Sequence, residues 1–333
     1  MSLKVLVTGA NGLVGSAVCR RFIQDKLEVF AFCRTNSDKS LLKDIAPQIT
    51  VVEGELSDII SLQEAIRQVD YVVHTAAIVS FAPKDQKRMF KTNVEGTANL
   101  INACLTNPQI KKLCFISSVA ALGKPSNIQK TETQIEINEN QKWEESPMNS
   151  YYAKTKYLAE CEVWRGEAEG LNVVVVNPSV VLGEGDWNRS STQLFKYIHD
   201  KNKFYTLGSL NYVDVKDVAE AVYQLTVSDI KGERFILNGG TTTYKEVFDK
   251  IADAMHKPRT KYLVTPLMAE IIWRIEHIRS FFTGNAPLIT KETARSSRTV
   301  FAYKNDKMRK TLGFEFNSLD STIRRVCESI AND

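Results

Sequence analysis

The chain has 333 residues, of which 43% are hydrophobic and 25% are charged, and its formal net charge is +4. This composition is typical of a globular protein with a substantial core, and the charge is too small to indicate a nucleic-acid partner. No apolar run reaches the roughly 18 residues that a membrane-spanning helix needs, so no membrane span is expected. The opening segment MSLKVLVTGANG predicts a β-strand rather than a signal peptide, and the six cysteines form no CxxC pair. We therefore expect a cytoplasmic protein with reduced thiols, and no metal site is predicted.

Short apolar runs alternate with amphipathic stretches through the first half of the chain. Each run is rich in Val, Ile, Leu or Phe, and the runs are LKVLVT, EVFAFC, ITVVEG, YVVHTA, KLCFIS and LNVVVVN. The stretches between them, such as LVGSAVCRRFIQD, have the spacing of amphipathic helices. Strands that are apolar on both faces and alternate with helices are typical of a parallel sheet covered on both sides. The sequence therefore predicts an α/β protein with a doubly wound parallel sheet, the Rossmann fold.

The regular alternation ends after LNVVVVN. PSVVLGEGDWNRSS is a loop rich in Pro and Gly, NYVDVKDVAEAVYQL predicts a turn and a helix, RFILNGG predicts one more strand, and the remainder is mainly helical. Within that remainder, TPLMAEIIWRIEHIRSFF predicts an amphipathic helix. We therefore predict a Rossmann domain of residues 1–178 and 213–238. A smaller, discontinuous, mainly helical C-terminal domain of residues 179–212 and 239–333 should close over the carboxyl edge of the sheet and bind substrate.

Three glycines lie directly after the first predicted strand, in VLVTGANGLVGSAV. Gly9 permits a tight turn, Gly12 lets the backbone approach a phosphate, and Gly15 allows close packing of helix and strand. The N-terminus of the following helix offers free N–H groups and partial positive charge to a pyrophosphate. The alternative is a glycine-rich turn with a packing role only. The strand–turn–helix context favours a dinucleotide site formed by Gly9, Asn11, Gly12, Leu13, Val14 and Gly15.

The end of the second strand indicates which dinucleotide is bound. An acidic residue there would bind a ribose 2′-hydroxyl, whereas a cation would accommodate a 2′-phosphate. In EVFAFCRTNSDKS, Cys33 is near the position of the acid, Arg34 follows it and Lys39 lies further along. NADP is therefore predicted rather than NAD, unless Arg34 is merely solvated.

Two tyrosines and two lysines in NSYYAKTKYLAE offer proton-transfer machinery. Tyr152 and Lys156 are four residues apart. Tyr151 and Lys154 are three apart, so either pair would share one face of a helix. A neighbouring ammonium would lower the tyrosine pKa from its ordinary value of about 10, and a hydroxyl group beside the tyrosine would polarise a substrate carbonyl. FISSVAALG supplies two serines for that purpose at the carboxyl end of the fifth strand. The spacing leaves both pairs open.

Several segments occur in one characteristic order over about two thirds of the chain, and they are TGANGLVG, VEGELSD, VVHTAA, KTNVEGT, FISSVAALG, YYAKTKYLAE, NPSVVLGEGD and YVDVKDVAEA. Together they resemble the extended short-chain dehydrogenase/reductase family, within the NAD-dependent epimerase/dehydratase superfamily, and in particular its dihydroflavonol-4-reductase-like members. In the family's Tyr-x-x-x-Lys motif a glutamate follows the lysine after four residues. This register fits only Tyr152, Lys156 and Glu160. The family's hydroxyl residue corresponds to Ser118 rather than Ser117.

The resemblance implies that Ser118, Tyr152 and Lys156 are catalytic. Tyr152 would exchange a proton with the substrate oxygen. Lys156 would lower the tyrosine pKa and hold the nicotinamide ribose, and Ser118 would orient the carbonyl group. Asn93, in KTNVEGT, would support the site from the neighbouring helix. The helices that carry Asn93 and Tyr152 often form a dimer's helix bundle in the family, so a homodimer is expected by analogy.

The resemblance also implies further cofactor contacts. Beside Asn93, Tyr152 and Lys156, these are Glu55 and Leu56 at the adenine position, Ala76 and Ala77 along the cofactor, and Pro178 and Val181 near the nicotinamide. The family usually has aspartate where this chain has Glu55. Asp58 is interpreted as a helix N-cap. His74 is interpreted as a packed or hydrogen-bonded side chain rather than a catalytic one.

Members of this family reduce carbonyls, epimerise or dehydrate nucleotide-diphosphate sugars, or oxidise 3β-hydroxysteroids, and a binding protein without turnover is a further alternative. Sugar-nucleotide enzymes commonly carry an arginine where LGSLNYVDVKDVA has Leu210. Epimerases and steroid enzymes usually hold NAD, whereas Arg34 favours NADP, and the intact catalytic residues argue against a binding protein. The sequence thus predicts an NADP-dependent reductase of a ketone or aldehyde, with a small-molecule carbonyl or alcohol as its substrate. The alternative is an NAD(P)-dependent nucleotide-sugar epimerase/dehydratase.

The substrate pocket is expected to draw on VSFAPKDQ, VVLGEGDWNRSS and the C-terminal part. Aromatic side chains there offer apolar area or pack in the core, and they are Phe81, Trp187, Phe195, Trp273 and Phe281.

Overall fold

Strands and helices alternate along most of the described chain. The computed structural model describes residues 2–126, 134–187, 190–206, 208–265, 268 and 300–331. Its strands are β1 (Lys4–Thr8), β2 (Glu28–Cys33), β3 (Ile49–Glu53), β4 (Tyr71–His74), β5 (Lys112–Ile116), β6 (Gln134–Ile137), β7 (Val173–Pro178), β8 (Val180–Leu182), β9 (Phe204–Tyr205), β10 (Ser209–Asp214), β11 (Glu233–Leu237), β12 (Gly240–Thr243), β13 (Tyr262–Leu263) and β14 (Val300–Tyr303). Its helices are α1 (Leu13–Gln24), α2 (Ile59–Ile66), α3 (Gln86–Phe90), α4 (Gly96–Leu105), α5 (Tyr151–Ala168), α6 (Gln193–His199), α7 (Val215–Val227), α8 (Tyr244–Ala254), α9 (Asp306–Leu312) and α10 (Leu319–Ala331). The helix predicted for TPLMAEIIWRIEHIRSFF lies almost entirely outside the described residues.

Seven parallel strands form the large sheet, in the order β11-β7-β5-β4-β1-β2-β3. Alternate side chains of each strand enter different cores because successive side chains point to opposite faces. Val5 and Val7 pack with α1 and α7 on one face, and Leu6 packs with α2, α4 and α5 on the other. The doubly wound sheet predicted from the sequence is therefore confirmed. Chain order reverses between β1 and β4, which places a crevice at the carboxyl ends of these strands.

A second, smaller sheet consists of β12, β10 and β8. In it β10 is antiparallel to β12 and parallel to β8. Helices α6, α8 and α10 cover this sheet, and their core includes Phe195, Leu210, Phe248 and Val326. The described part of the predicted C-terminal domain thus contains a sheet as well as helices. Its strands have at most six residues, which is too short for a clear alternation of apolar and polar residues.

The segment after β14 returns to the large sheet. Met308 of α9 and the nearby Phe314 belong to the same core as Phe235 of β11, and the ammonium of Lys307 donates to the carbonyl oxygen of Arg234 at 2.9 Å. These residues fall within the predicted C-terminal domain, although they pack with the Rossmann sheet. An amphipathic pattern shows which face of a helix is buried and does not show which partner covers it.

No helix within the described ranges is long and apolar enough to cross a membrane. All six cysteines are free thiols. Five of them are buried, and Cys161 on α5 is exposed.

Candidate active site

The glycine-rich turn between β1 and α1 is shaped by close backbone contacts. Gly9 has a φ of 66°, and a Cβ atom on it would lie 2.7 Å from the Cα atom of Ala76. A Cβ atom on Gly15 would overlap the carbonyl oxygen of Gly9. Both positions therefore exclude larger side chains. A Cβ atom on Gly12 would meet only that same oxygen among the described atoms, at 3.3 Å, so this side of the turn is open.

The N-terminus of α1 presents free donors at this turn. The first helical hydrogen bond runs from the N–H of Ser16 to the carbonyl oxygen of Gly12, at 2.9 Å. No side chain of the described residues caps this end, so the N–H groups of Leu13, Val14 and Gly15 have no acceptor within the helix. These donors and the helix dipole suit a pyrophosphate, and the open side of the turn leaves room for one. The residues present therefore fit a dinucleotide cofactor.

The loop after β2 carries the predicted nucleotide-selecting cation. Arg34 is exposed, and its guanidinium has no ion-pair partner in the part of the chain that the structure describes. The ammonium of Lys39 donates to the carboxylate of Glu53 at 3.0 Å. The side-chain amide of Asn11 donates to the carbonyl oxygen of Asp38 at 2.7 Å, which ties this loop to the glycine turn. Arg34 is thus the cation left available for a 2′-phosphate.

The turn between β3 and α2 holds the residues predicted at the adenine. Glu55 is exposed and Leu56 is half-buried. Leu56 accepts a hydrogen bond from the side-chain amide of Asn99 at 2.9 Å, and its side chain packs against Gly96. Asp58 accepts hydrogen bonds from two N–H groups of the first turn of α2, at 3.1 and 3.2 Å, so it caps that helix as predicted. Of the two predicted residues, only Glu55 exposes a polar side chain here.

The two lysines of α5 have different surroundings. Lys154 is exposed and forms an ion pair with Glu145 at 3.3 Å. Lys156 is 2% exposed, and its ammonium donates to the carbonyl oxygen of Ile116, at the end of β5, at 2.9 Å. Of the two lysines left open by the spacing, only Lys156 lies at the carboxyl edge of the sheet.

Tyr152 and Ser118 are neighbours at this edge. The side chain of Ser118 is close enough to the phenol of Tyr152 to lower its pKa. Ser118 precedes a short 3₁₀ turn, and its hydroxyl oxygen accepts from the N–H of Ala120 at 3.2 Å, which fixes the serine rotamer. The aromatic ring of Phe81 stands edge-on to the ring of Tyr152, with 6.3 Å between centroids. The structure therefore brings a phenol and a hydroxyl together beside an aromatic side chain.

Burial sets the charge states around this pair. Burial raises the pKa of Tyr152 to about 12, and the neighbouring hydroxyl of Ser118 acts in the opposite direction. Burial lowers the pKa of Lys156 to about 7, although the carboxylate of Glu160 raises it. The ammonium of Lys156 is directed to a backbone carbonyl rather than to the tyrosine, so the lowering of the tyrosine pKa that the resemblance implies stays a prediction. At neutral pH Tyr152 holds its proton, and Lys156 is near the midpoint of its titration.

Ala76 and Ala77 are predicted along the cofactor, and Pro178 and Val181 near the nicotinamide. Ala76 packs closely against Gly9, and Ala77 is exposed on the loop after β4. Pro178 is buried at the end of β7, and Val181 is half-buried in β8. Close to them, Asn177 Oδ1 and Ser179 Oγ are buried without a hydrogen-bond partner among the described residues. A polar cofactor group at this strand end would satisfy them.

Asn93 is buried and connects two segments of the chain, and its side chain is not open to a cofactor. It lies in a short π-helical segment, Lys91–Glu95, and is 1% exposed. Its side-chain oxygen accepts from the N–H of Ile78 at 2.7 Å, and its amide donates to the carbonyl oxygen of Ile78 at 2.9 Å and to the hydroxyl of Thr155 at 3.1 Å. Asn93 therefore joins the loop after β4 to the helix that carries Tyr152.

His74 lies under the same loop, at the end of β4. Its Nδ1 atom is 2.7 Å from the hydroxyl oxygen of Thr8, and its Nε2 atom is 3.0 Å from that of Thr97. The ring is fully buried. It is thus a packed, hydrogen-bonded histidine, as predicted.

Sequence reasoning missed two residues that lie beneath Tyr152 and Ser118. Glu160 served only to fix the register, yet its buried carboxylate accepts hydrogen bonds from the hydroxyl of Ser117 at 2.7 Å and the amide of Asn177 at 3.0 Å. Asn177 also donates to the carbonyl oxygen of Ser118 at 3.0 Å. The available signals were an acid on the buried side of a helix and an amide that ends an all-apolar strand.

The aromatic residues expected in the pocket have different positions. Phe81 is 52% exposed. Phe195 is 1% exposed and belongs to the core of the small sheet. Trp187 is half-buried and stands edge-on to His199. Trp273 and Phe281 lie outside the described residues. Phe81 is therefore the aromatic side chain seen next to Tyr152.

Comparisons with known proteins identify the family of this chain. The model of the NAD dependent epimerase/dehydratase family matches residues 5–238. The chain is 26% identical over 317 residues to sterol demethylase protein B of Methylococcus capsulatus, with 93% of each chain covered. It is 30% identical over 230 residues to cinnamoyl-CoA reductase 1 of Petunia hybrida, with 65% of this chain and 67% of that protein covered. The crystal structure of gox2253 has a TM-score of 0.82 and 27% identity to this chain, with 98% of each chain covered. The chain therefore belongs to the NAD dependent epimerase/dehydratase family, the extended short-chain dehydrogenases/reductases, and is an NAD(P)-dependent enzyme that acts on CH–OH or carbonyl groups.

Proposed function

We propose that the protein is an NADP-dependent reductase of a ketone or an aldehyde. The observation that carries the proposal is the proximity of the Tyr152 and Ser118 hydroxyl groups, at the sheet edge that also holds the buried Lys156. Two hydroxyl groups that meet at one point can both donate to one carbonyl oxygen. Such donors polarise the carbonyl and stabilise the negative charge that develops on its oxygen during reduction.

Tyr152 supplies the proton in this proposal. A pKa of about 12 keeps the side chain a phenol at neutral pH, so it carries a proton for the substrate oxygen. A bound nicotinamide supplies the hydride for the carbonyl carbon. Proton donation leaves a phenolate, and Lys156, with a pKa of about 7, is suited to return a proton to it. One hydride and one proton convert the carbonyl to the alcohol.

The surroundings of Arg34 support NADP. The position of the ribose-binding acid is taken by Cys33, which is buried. Glu53 is an acid opposite Cys33 on the neighbouring strand, but its carboxylate accepts a hydrogen bond from the ammonium of Lys39 at 3.0 Å. The exposed guanidinium of Arg34 has the charge and geometry for a 2′-phosphate. The description of the family names NAD, so the preference for NADP rests on this chain's own residues.

The substrate side of the catalytic pair is apolar. Val79 and Phe81, on the loop after β4, are 51% and 52% exposed, which is unusual for such side chains. Leu210, where sugar-nucleotide enzymes carry an arginine, is 2% exposed and packs in the core of the small sheet. These positions favour a substrate with an apolar body over one with a diphosphate.

The experiment follows NADPH oxidation by absorbance with a panel of aldehydes, ketones, ketosteroids and nucleotide-diphosphate sugars, with NADH in parallel. We expect carbonyl-dependent oxidation that prefers NADPH. Interconversion of a nucleotide sugar without net oxidation would instead establish the epimerase alternative, an activity that the family description names.

A pair of variants tests the cofactor preference separately. Arg34→Ser should raise the Kd of NADPH about tenfold and leave the Kd of NADH unchanged, because a charge-assisted bond to the 2′-phosphate is lost. Arg67→Ser, a change at another exposed arginine, is the matched control. Equal effects of Arg34→Ser on the two Kd values would contradict the assignment.

A further inference from the structure

A buried carboxylate lies directly under the proposed catalytic residues. Glu160 of α5 is 3% exposed. Its two oxygens are surrounded by donors from three other elements and its own helix, and the donors are Ser117 Oγ at 2.7 Å, Asn177 Nδ2 at 3.0 Å, Trp164 Nε1 at 3.3 Å and Arg234 Nη1 at 3.2 Å. A buried charge is costly unless it is paired and hydrogen-bonded, and this one is both. The arrangement is a built network rather than a chance contact.

The network controls the position of Ser118. Ser117, its neighbour in sequence, is held by the carboxylate through its hydroxyl and by the carbonyl oxygen of Val176 through its N–H, at 2.8 Å. Asn177 donates to Glu160 and to the carbonyl oxygen of Ser118, both at 3.0 Å. A displacement of the carboxylate would therefore move Ser118 relative to Tyr152.

The network also acts on Lys156. Glu160 follows Lys156 by one helical turn, so both side chains lie on the same face of α5. Lys156 holds the carbonyl oxygen of Ile116, just before the two serines on which the network acts. The negative charge of Glu160 favours the ammonium form of Lys156 against the effect of burial.

Arg234 completes the network from a different strand. It belongs to β11, and its side chain is 28% exposed, whereas that of Glu160 is 4% exposed. Its guanidinium lies over the ring of Trp164, 5.8 Å from the centroid, which orients it. Arg234 thus pairs with the buried carboxylate at 3.2 Å and fixes its position from a neighbouring strand.

We propose that Glu160 and Arg234 form a positioning pair for the reaction. The carboxylate aligns Ser118 with Tyr152 and stabilises the protonated form of Lys156, and Arg234 holds the carboxylate in place through the ion pair. Neither residue touches the substrate, and the inference rests on the proposed carbonyl reduction.

The test compares Glu160→Gln and Arg234→Gln with wild type and with Glu162→Gln, a control at a half-buried glutamate of the same helix that pairs with Arg165 instead. Two quantities are measured over a range of pH. One is kcat for carbonyl reduction, together with KM. The other is the titration of Lys156 by NMR of protein with ¹³Cε-labelled lysine, in which Lys156→Met identifies the resonance. The second readout needs no turnover.

Glu160→Gln should move the Lys156 midpoint, and the alkaline limb of the kcat profile, down by about one pH unit, because the favourable negative charge is gone. At neutral pH kcat should fall about tenfold with the Kd of NADPH unchanged, since the glycine turn is untouched. Arg234→Gln should lower kcat because the carboxylate is no longer held by its ion pair, Arg234→Lys should restore kcat, and the double variant should show no further fall in kcat beyond Glu160→Gln. Glu162→Gln should behave as wild type.

A folded Glu160→Gln enzyme with the wild-type midpoint and pH profile would overturn the proposal, as would an additive fall in kcat in the double variant. If Glu160→Gln does not fold, Arg234→Gln decides by its kcat and by the recovery of kcat in Arg234→Lys, because its side chain is partly exposed. Absence of carbonyl turnover in the wild type would count against the proposed function, whereas an unchanged Lys156 midpoint would count against this pair.

Discussion

Acidification should destabilise the fold through one buried histidine, His74. The hydroxyl of Thr97 donates its only proton to the carbonyl oxygen of Asn93 at 2.6 Å, so it accepts from His74 Nε2–H. His74 Nδ1 then accepts from the hydroxyl of Thr8. A second proton on the ring would have to displace that hydrogen. Burial, with a smaller contribution from the ammonium of Lys156, lowers the pKa of His74 to about 3.

The sign and size of the effect follow from linkage. In the unfolded chain a histidine has a pKa of about 6.5, so the unfolded state binds a proton below that pH while the native state stays neutral down to a pKa of about 3. The contribution is therefore fully present above about pH 6.5 and is lost as the pH falls below it. At 1.36 kcal/mol per pH unit, the native state should lose about 2 kcal/mol between pH 7 and pH 5 from this residue alone.

Urea unfolding at pH 7 and pH 5 measures this loss. The quantity of interest is the difference between wild type and His74→Gln, because the carboxylates contribute equally to both. His74→Gln should reduce the acid-induced loss of unfolding free energy by about 2 kcal/mol, whatever its stability at pH 7. His199→Gln, on the exposed end of α6, corrects for the removal of a histidine as such. A His74→Gln protein that loses as much stability as the wild type would refute the reasoning.

Three further changes test other parts of the site. Tyr152→Phe should lower kcat by roughly 10²–10⁴-fold and leave the Kd of NADPH unchanged, whereas Tyr151→Phe should remain active. Gly15→Ala should raise the Kd of NADPH by about tenfold or more, because the new Cβ atom would overlap the carbonyl oxygen of Gly9 in the glycine turn. Fluorescence titration measures this Kd, and the control is Gly208→Ala, where a Cβ atom would make only ordinary contacts. Arg325→Met should lower the free energy of unfolding in urea by about 3 kcal/mol, because the buried Asp214 at the N-terminus of α7 loses the two hydrogen bonds that Arg325 donates to it, at 2.6 and 2.7 Å. A loss below about 1 kcal/mol would contradict this.

The parts of the site that sequence could predict are local. The glycine turn depends on three glycines within a few residues, and at Gly9 and Gly15 a close neighbour in the same strand–turn–helix unit or the adjacent strand end leaves no room for a larger side chain. Spacing could not choose between the two tyrosine–lysine pairs, since residues three and four apart share a helix face equally well. In the structure the distinction comes from other elements: Glu145 holds Lys154 at the surface, and the end of β5 holds Lys156.

Long-range partners were not readable from the sequence. Nothing near Glu160 indicates that its charge is met by Arg234 of β11, because the two residues meet only when β7 and β11 are adjacent in the sheet. The same holds for the domain boundary. The amphipathic pattern of α9 is compatible with either sheet, and its contact with Phe235 is a property of the assembled fold.

The return of Met308 and Phe314 to the large sheet has a consequence for synthesis on the ribosome. All seven strands of that sheet are complete once β11 has emerged, but the apolar surface that these two side chains cover stays open until α9 follows. The nascent chain therefore passes through a stage in which the strands of the large sheet can all pair while one face of its core is exposed to solvent. Such a stage is where chaperones bind and where aggregation competes with folding. The rate of translation between β11 and α9 sets how long that exposure lasts.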